Sequence, residues 1–250
     1  LQTINIKSQE VLMFDWSNLD RKTIIQHIQT LSPKLCDRVI SVDEFHRKLS
    51  KFLKKNCPVV TTLEYDPNVK HYNVFVGGTY FSDYDEDCKK CIHINLYYNP
   101  EMDEFVISKR RFKSICTTIA DTILHEVIHM RQYRRRAFKS LPNYASTASS
   151  SKIRAEQEYL GCSDEIDAYG FNIACELLDK YKGNHRAVIQ HLDIDLKGSK
   201  SFGGSWKMYL KAFGHDHNHE IIKRVKKKVI RYLPRAEVGK PFKSRDWICH

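Results

Sequence analysis

Between residues 108 and 137, apolar side chains recur at three- and four-residue steps: Phe112, Ile115, Ile119, Ile123, Val127 and Met130. That period draws one stripe along a single long helix. At 1.5 Å per residue such a helix runs about 45 Å, too long to stand alone, so other elements must pack along it. Just upstream the period changes. HYNVFVGGTYF (71–81) and CIHINLYYN (91–99) alternate and are rich in β-branched and aromatic residues, with the polar DYDEDCKK between them. The spacing predicts a β-hairpin with a long acidic tip. In its second strand Ile92, Ile94, Leu96 and Tyr98 share one face, and His93, Asn95 and Tyr97 the other. The Gly77-Gly78 pair reads as a bulge in the first strand.

Helical spacing also covers 16–31 and 41–53, the latter opened by Ser41 with Glu44 three residues on, a capping box. Further helices are expected from Ser163, as N-cap, to Gly183; in NHRAVIQHL and SWKMYLKAF; and in the basic amphipathic stretch 218–233, which stops before Pro234. The segment 141–152 is small, polar and loop-like, and 139–157 suggests a lid. The last sixteen residues look irregular. The expected fold class is α+β. A small antiparallel hairpin or sheet packs on the long helix and on the helix from Ser163, in one domain over 1–250 with its core at about 72–180.

The motif LHEVIHM (124–130) lies on the long helix. His125 and His129 are four residues apart and project from one face, so both imidazoles can reach one tetrahedral ion. Glu126 is offset by about 100° and can stand beside a water on that ion. With twelve histidines the pattern arises by chance in roughly three of a hundred such chains. The regular helix beneath it, with an apolar stripe opposite, makes chance the weaker explanation. A catalytic zinc site takes a third protein ligand and leaves a position open. The next histidine after His129 is the remote His185; nearer are Asp164, Glu165 and Asp167 in YLGCSDEIDAY. Glu165 is the choice, because Ala168 and Tyr169 beside it leave room for an ion. Asp167 is two residues on, about 200° round the helix, so the two cannot both face one ion, and Asp167 stays the alternative third ligand.

HEVIH followed some tens of residues later by a glutamate at the start of a second helix resembles the gluzincin branch of the zincin metallopeptidases. The chain is similar to small phage and bacterial HExxH proteins with a DEIDAY-type segment, over about residues 72–180. The resemblance implies a minimal zincin-like core, one catalytic Zn2+ on His125, His129 and Glu165, and Glu126 as general base. It also implies that strand 91–99 is the sheet edge that pairs with an extended peptide substrate. The chain departs from the pattern at Tyr169, where gluzincins carry an acid four residues after the ligand glutamate. Asp121, one turn before His125, is the expected replacement as partner of that histidine.

An oxyanion stabiliser is sought at Tyr144, or at His217 or His219 in GHDHNHE, where Asp216 or Asn218 is expected to cap the next helix. Cys88-Lys-Lys-Cys91 is the one CxxC among eight cysteines. Without a second knuckle it reads as two reduced or bridged thiols at the hairpin tip, with a structural zinc completed by Cys36, Cys57 or His71 as the alternative. The opening LQTINIKSQEVLMF, starting at Leu1, lacks the pattern of a secretory signal and suggests a trimmed front end. The cysteines then read as mostly reduced in an intracellular, cytoplasmic protein. No apolar run is long enough to span a bilayer, so no membrane association is expected. No Walker loop, G-x-G-x-x-G or G-x-S-x-G is present. The net charge of +11 suits a protein or peptide substrate with acidic character, or nucleic acid. The basic runs at 109–111, 134–136 and 223–228 read as solvated helix faces or ends.

Overall fold

The computed structural model describes residues 16, 19–57, 59–70, 73–87, 89–139, 152–194 and 204–243. Ten helices and five strands follow in order among them: α1 (Arg21–Gln29), α2 (Ser32–Leu35), β1 (Val39–Ser41), α3 (Val42–Asn56), β2 (Val59–Tyr65), β3 (Phe75–Tyr80), α4 (Ser82–Glu86), β4 (Ile92–Tyr98), β5 (Glu104–Val106), α5 (Lys109–Arg135), α6 (Lys152–Gly161), α7 (Ser163–Lys180), α8 (His185–His191), α9 (Ser205–Ala212) and α10 (Glu220–Glu237). The class is α+β, a small mixed sheet among many helices.

The hairpin forms as the alternation predicts. β3 runs antiparallel to β4 from Phe75↔Tyr97 to Tyr80↔Ile92. Ile92, Ile94, Leu96 and Tyr98 are fully buried, while His93, Asn95 and Tyr97 are only partly covered. The acidic tip folds into α4. Its Asp85 is clamped by Nε and Nη2 of Arg134, at 2.7 and 2.5 Å, and takes the Tyr80 hydroxyl at 2.9 Å. The basic run 134–136 is therefore not a solvated helix end: Arg134 ties the hairpin tip to α5, and Arg136 grips Asp164 at 3.0 and 2.7 Å.

The third strand, β2, pairs parallel with the other side of β4, from Val59↔Ile92 to Tyr65↔Tyr98. The order β2-β4-β3 makes β4 central, so the expectation that strand 91–99 is the edge is corrected. The strand at the end of the sheet on the α5 side is β3. A second correction concerns Gly77 and Gly78. The register runs through both without a bulge, Gly77 opposite Asn95 and Gly78 opposite Ile94. A Cβ on Gly78 would stand 2.5 Å from Thr122 Cγ2 and 2.6 Å from Glu126 Oε1. The missing side chain is what lets β3 lie directly on α5.

α5 begins at Ser108, whose hydroxyl accepts from the Arg111 N–H, and all six residues of its apolar stripe are buried. Ser41 caps α3 through the Glu44 N–H, but the Glu44 carboxylate turns to Lys48 and Arg38 instead of closing the capping box. Residues 152–157, expected within a lid, open the helix α6; the part at 140–151 lies outside the described residues. Cys162, not Ser163, is the N-cap of α7. α10 continues through Pro234 to Glu237. Pro234 sits on the solvent side, where water can take the carbonyl that its missing N–H leaves unmatched. α10 lies along α7, α7 along α5, and one cluster of buried apolar side chains extends from Trp16 to Ala236. No helix of the described residues is long and apolar enough to cross a membrane.

Candidate metal centre

His125 and His129 leave the same face of α5, and α7 brings Glu165 from its first turn to meet them. The three side chains are buried, Glu165 to within 1% of full enclosure. The two imidazole Nε2 atoms are 3.0 Å apart, with Glu165 Oε2 3.4 Å from His125 Nε2 and Oε1 3.3 Å from His129 Nε2. Donors bound at about 2.0–2.1 Å in a tetrahedral set stand about 3.3–3.4 Å apart. The spacing fits Zn2+ with little adjustment, and two imidazoles with one carboxylate are a donor set zinc uses in hydrolases. Among the described residues this is the one group of three or more His, Cys, Asp or Glu that could hold an ion.

The electrostatics follow from that geometry. Burial opposes charge on Glu165, yet hydrogen bonds from His125 and His129 and their positive charge hold its carboxyl well below the usual range. Burial likewise works against protonation of His129, but Glu165 and Glu126 outweigh it and raise the imidazolium to about 9. In the metal-free protein a proton therefore occupies the place where an ion would sit. Glu126, next to them in sequence, lies outside the ligand group. Burial pushes its carboxyl up, partly offset by the two histidines, and it accepts a hydrogen bond from the Tyr80 N–H of β3.

Sequence reasoning missed both residues that orient the imidazoles. Gln132 Oε1 is 2.8 Å from His129 Nδ1, while its Nε2 donates to the Asp164 carbonyl at 3.1 Å and to Asp167 Oδ2 at 3.4 Å. Because the amide nitrogen is committed to two acceptors, its oxygen must accept, so Nδ1 of His129 carries a hydrogen and Nε2 can turn a lone pair inward. Asn172 Nδ2 lies 3.4 Å from His125 Nδ1, and its buried Oδ1 has no hydrogen-bond partner among the described residues. A half-turn of this amide places Oδ1 on the Nδ1–H that His125 carries when Nε2 is a ligand. Both residues were accessible by spacing: Gln132 is one turn beyond His129, and Asn172 is two turns beyond Glu165 on the same face. Replacing Asn172 by Ala is expected to weaken metal binding by about 10–100-fold without unfolding the protein, checked by competitive chelator titration.

Asp121 is not the partner of His125. It accepts from Arg21 at 2.5 and 3.2 Å, an ion pair that ties α1 to α5. Asp167 is outside the ligand group: its Oδ1 takes Lys228 Nζ at 2.5 Å and the Tyr232 hydroxyl at 3.2 Å from α10, while its Oδ2 accepts from the Gln132 amide behind His129. Asp164 is held by Arg136. Tyr169 stands edge-on to His125, ring centroids 4.6 Å apart, and its hydroxyl, pushed up to about 12 by burial, is bonded to Tyr159. His217 packs against Trp206, and His219 caps α10 itself by accepting from the Ile221 N–H, in place of Asp216 or Asn218. Tyr144 and Cys88 lie outside the described residues, and Cys91 is a buried thiol pushed up to about 12 by burial.

Compared with protein-family models, with curated proteins and with solved structures, the chain gives no match.

Proposed function

We propose that the chain is a zinc-dependent peptide hydrolase, with His125, His129 and Glu165 holding the ion and Glu126 acting as general base. The observation that carries this reading is the convergence of two imidazoles and a carboxylate, buried and 3.0–3.4 Å apart, beside a second carboxylate with raised proton affinity. A structural site has no use for Glu126, and a buried ionisable group without a role is costly. When bound, Zn2+ in such a set acidifies a water and polarises a carbonyl oxygen. Glu126 accepts the proton of the attacking water at its carboxylate and returns it to the departing amine. The Tyr80 N–H fixes that carboxylate, and the bare backbone of Gly78 leaves it room. Gln132 and Asn172 hold the ligand tautomers, and the Tyr169 ring sets the plane of His125. An extended substrate adds to the outer side of β3, the strand at the end of the sheet, by main-chain hydrogen bonds.

The test is cleavage of a fluorogenic peptide library by protein purified without a histidine tag. Chelation should remove activity, and one equivalent of zinc should restore it. A fully zinc-loaded protein that cleaves no member of the library would overturn the reading.

A further inference from the structure

Between α7 and α10 the surface opens into a cavity of about 240 Å3, lined by Ser163 and Ile166 from the first turn of α7 and by Arg224, Lys227, Lys228 and Arg231 from α10. We propose that this cleft binds a phosphate group, independently of the metal centre and of any hydrolysis there.

The four cations stand at i, i+3, i+4 and i+7, so they share one face of α10 over about 10 Å of its axis. Like charges four residues apart disfavour a helix. Elsewhere this chain relieves its cations with carboxylates: Arg134 with Asp85, Arg136 with Asp164, Lys226 with Asp193. Here Lys228 alone is paired, with Asp167. Among the described residues, no carboxylate pairs with Arg224, Lys227 or Arg231. The array cannot relax by moving apart. Ile222, Val229 and Leu233 bury the opposite face of α10, and Gly170 brings α7 so close that a Cβ on it would stand 2.8 Å from Lys228 Cβ. A bound anion would supply the missing countercharge.

Three features select phosphate. Two guanidinium forks, Arg224 and Arg231, two turns apart on that one face, can each give paired N–H donors to its oxygens. The positive end of the 18-residue α7 lies at the cleft through Ser163. The cavity is also smaller than the roughly 300–1,000 Å3 that accommodates a drug-sized ligand, which favours a compact group over a whole nucleotide.

The probe is pyrophosphate, titrated calorimetrically into the full chain at constant ionic strength. We compare wild type, the triple variant R224Q/K227Q/R231Q, and the charge-matched control K51Q/K54Q/K55Q on the exposed face of α3. Wild type and control should bind alike, with the triple variant weaker by roughly 10²-fold. All three should keep the same circular dichroism spectrum, since the changed side chains are not buried. No pyrophosphate binding by wild type, or an equal loss in the control, would overturn the proposal, because the charge would then act only as a diffuse field. A single-stranded oligonucleotide, titrated with salt, identifies the source of the phosphate. If the triple variant flattens the log–log salt slope by about 2, the phosphate is that of a nucleic-acid backbone. If the oligonucleotide slope is unchanged while pyrophosphate binding is lost, the ligand is a small phosphate compound; either result supports the cleft.

Discussion

Glu126→Gln is expected to reduce peptide hydrolysis by about 10²–10⁴-fold while leaving the zinc content at that of wild type. The two halves of that expectation have separate physical origins. The amide has the size of the carboxylate and can still accept from the Tyr80 N–H, so β3 and α5 keep their contact at Gly78. It cannot take a proton. Since Glu126 stands outside the His125–His129–Glu165 group, its loss removes no ligand. Steady-state hydrolysis and plasma mass spectrometry on the same samples check both halves. A variant that keeps its activity eliminates Glu126 as the base. One that loses its zinc makes Glu126 part of the ion's support instead.

The parts of this fold that were legible in the sequence are those where one residue's environment repeats along a regular element. The stripe from Phe112 to Met130 and the alternation from Ile92 to Tyr98 each report burial against a continuous surface, and both appear as expected. β2 was overlooked although VVTTLEY is rich in β-branched residues. A parallel partner in the sheet leaves no short turn beside it as a signal. The resemblance to zincins made β4 the expected edge, and β2 is the strand that covers its other side. At the site, HEVIH and the face of α7 identified the three residues that converge, because both rest on helical period. The partners of those residues depend on tertiary packing. Asp121 has the right type and spacing to serve His125, but Arg21, one hundred residues earlier, takes it. Asn172 reaches His125 only because α7 crosses α5 where it does. Gly78 shows the limit clearly: its type was noticed, but its purpose lies in a helix that the strand meets in space.

Glu165→Ala is expected to abolish stoichiometric zinc binding, whereas Asp167→Ala should keep the ion at an affinity lowered by no more than about 10–100-fold. The first substitution removes a ligand. The second removes an acceptor of the Gln132 amide, two hydrogen bonds away from His129, and the α7 partner of Lys228 and Tyr232, and it takes no ligand from the ion. The pH dependence gives a further check on the same site. In the metal-free protein His129 is raised from 6.5 to about 9, so its contribution to stability is full below 6.5 and is lost as the pH rises through about 9. Glu165 is lowered, so its contribution is present above its ordinary value of 4.5 and is lost on acidification below it. The metal-free site is thus most stabilising between about 4.5 and 6.5. Zinc must displace the His129 proton, so its affinity should rise about tenfold per pH unit and level off near 9. The gap in Tm between zinc-loaded and metal-free protein should therefore widen from pH 6.5 to 9 and vanish in Glu165→Ala. A gap that narrows over that range would mean that the ion binds without taking the place of that proton, and the convergence of His125, His129 and Glu165 would not be its site.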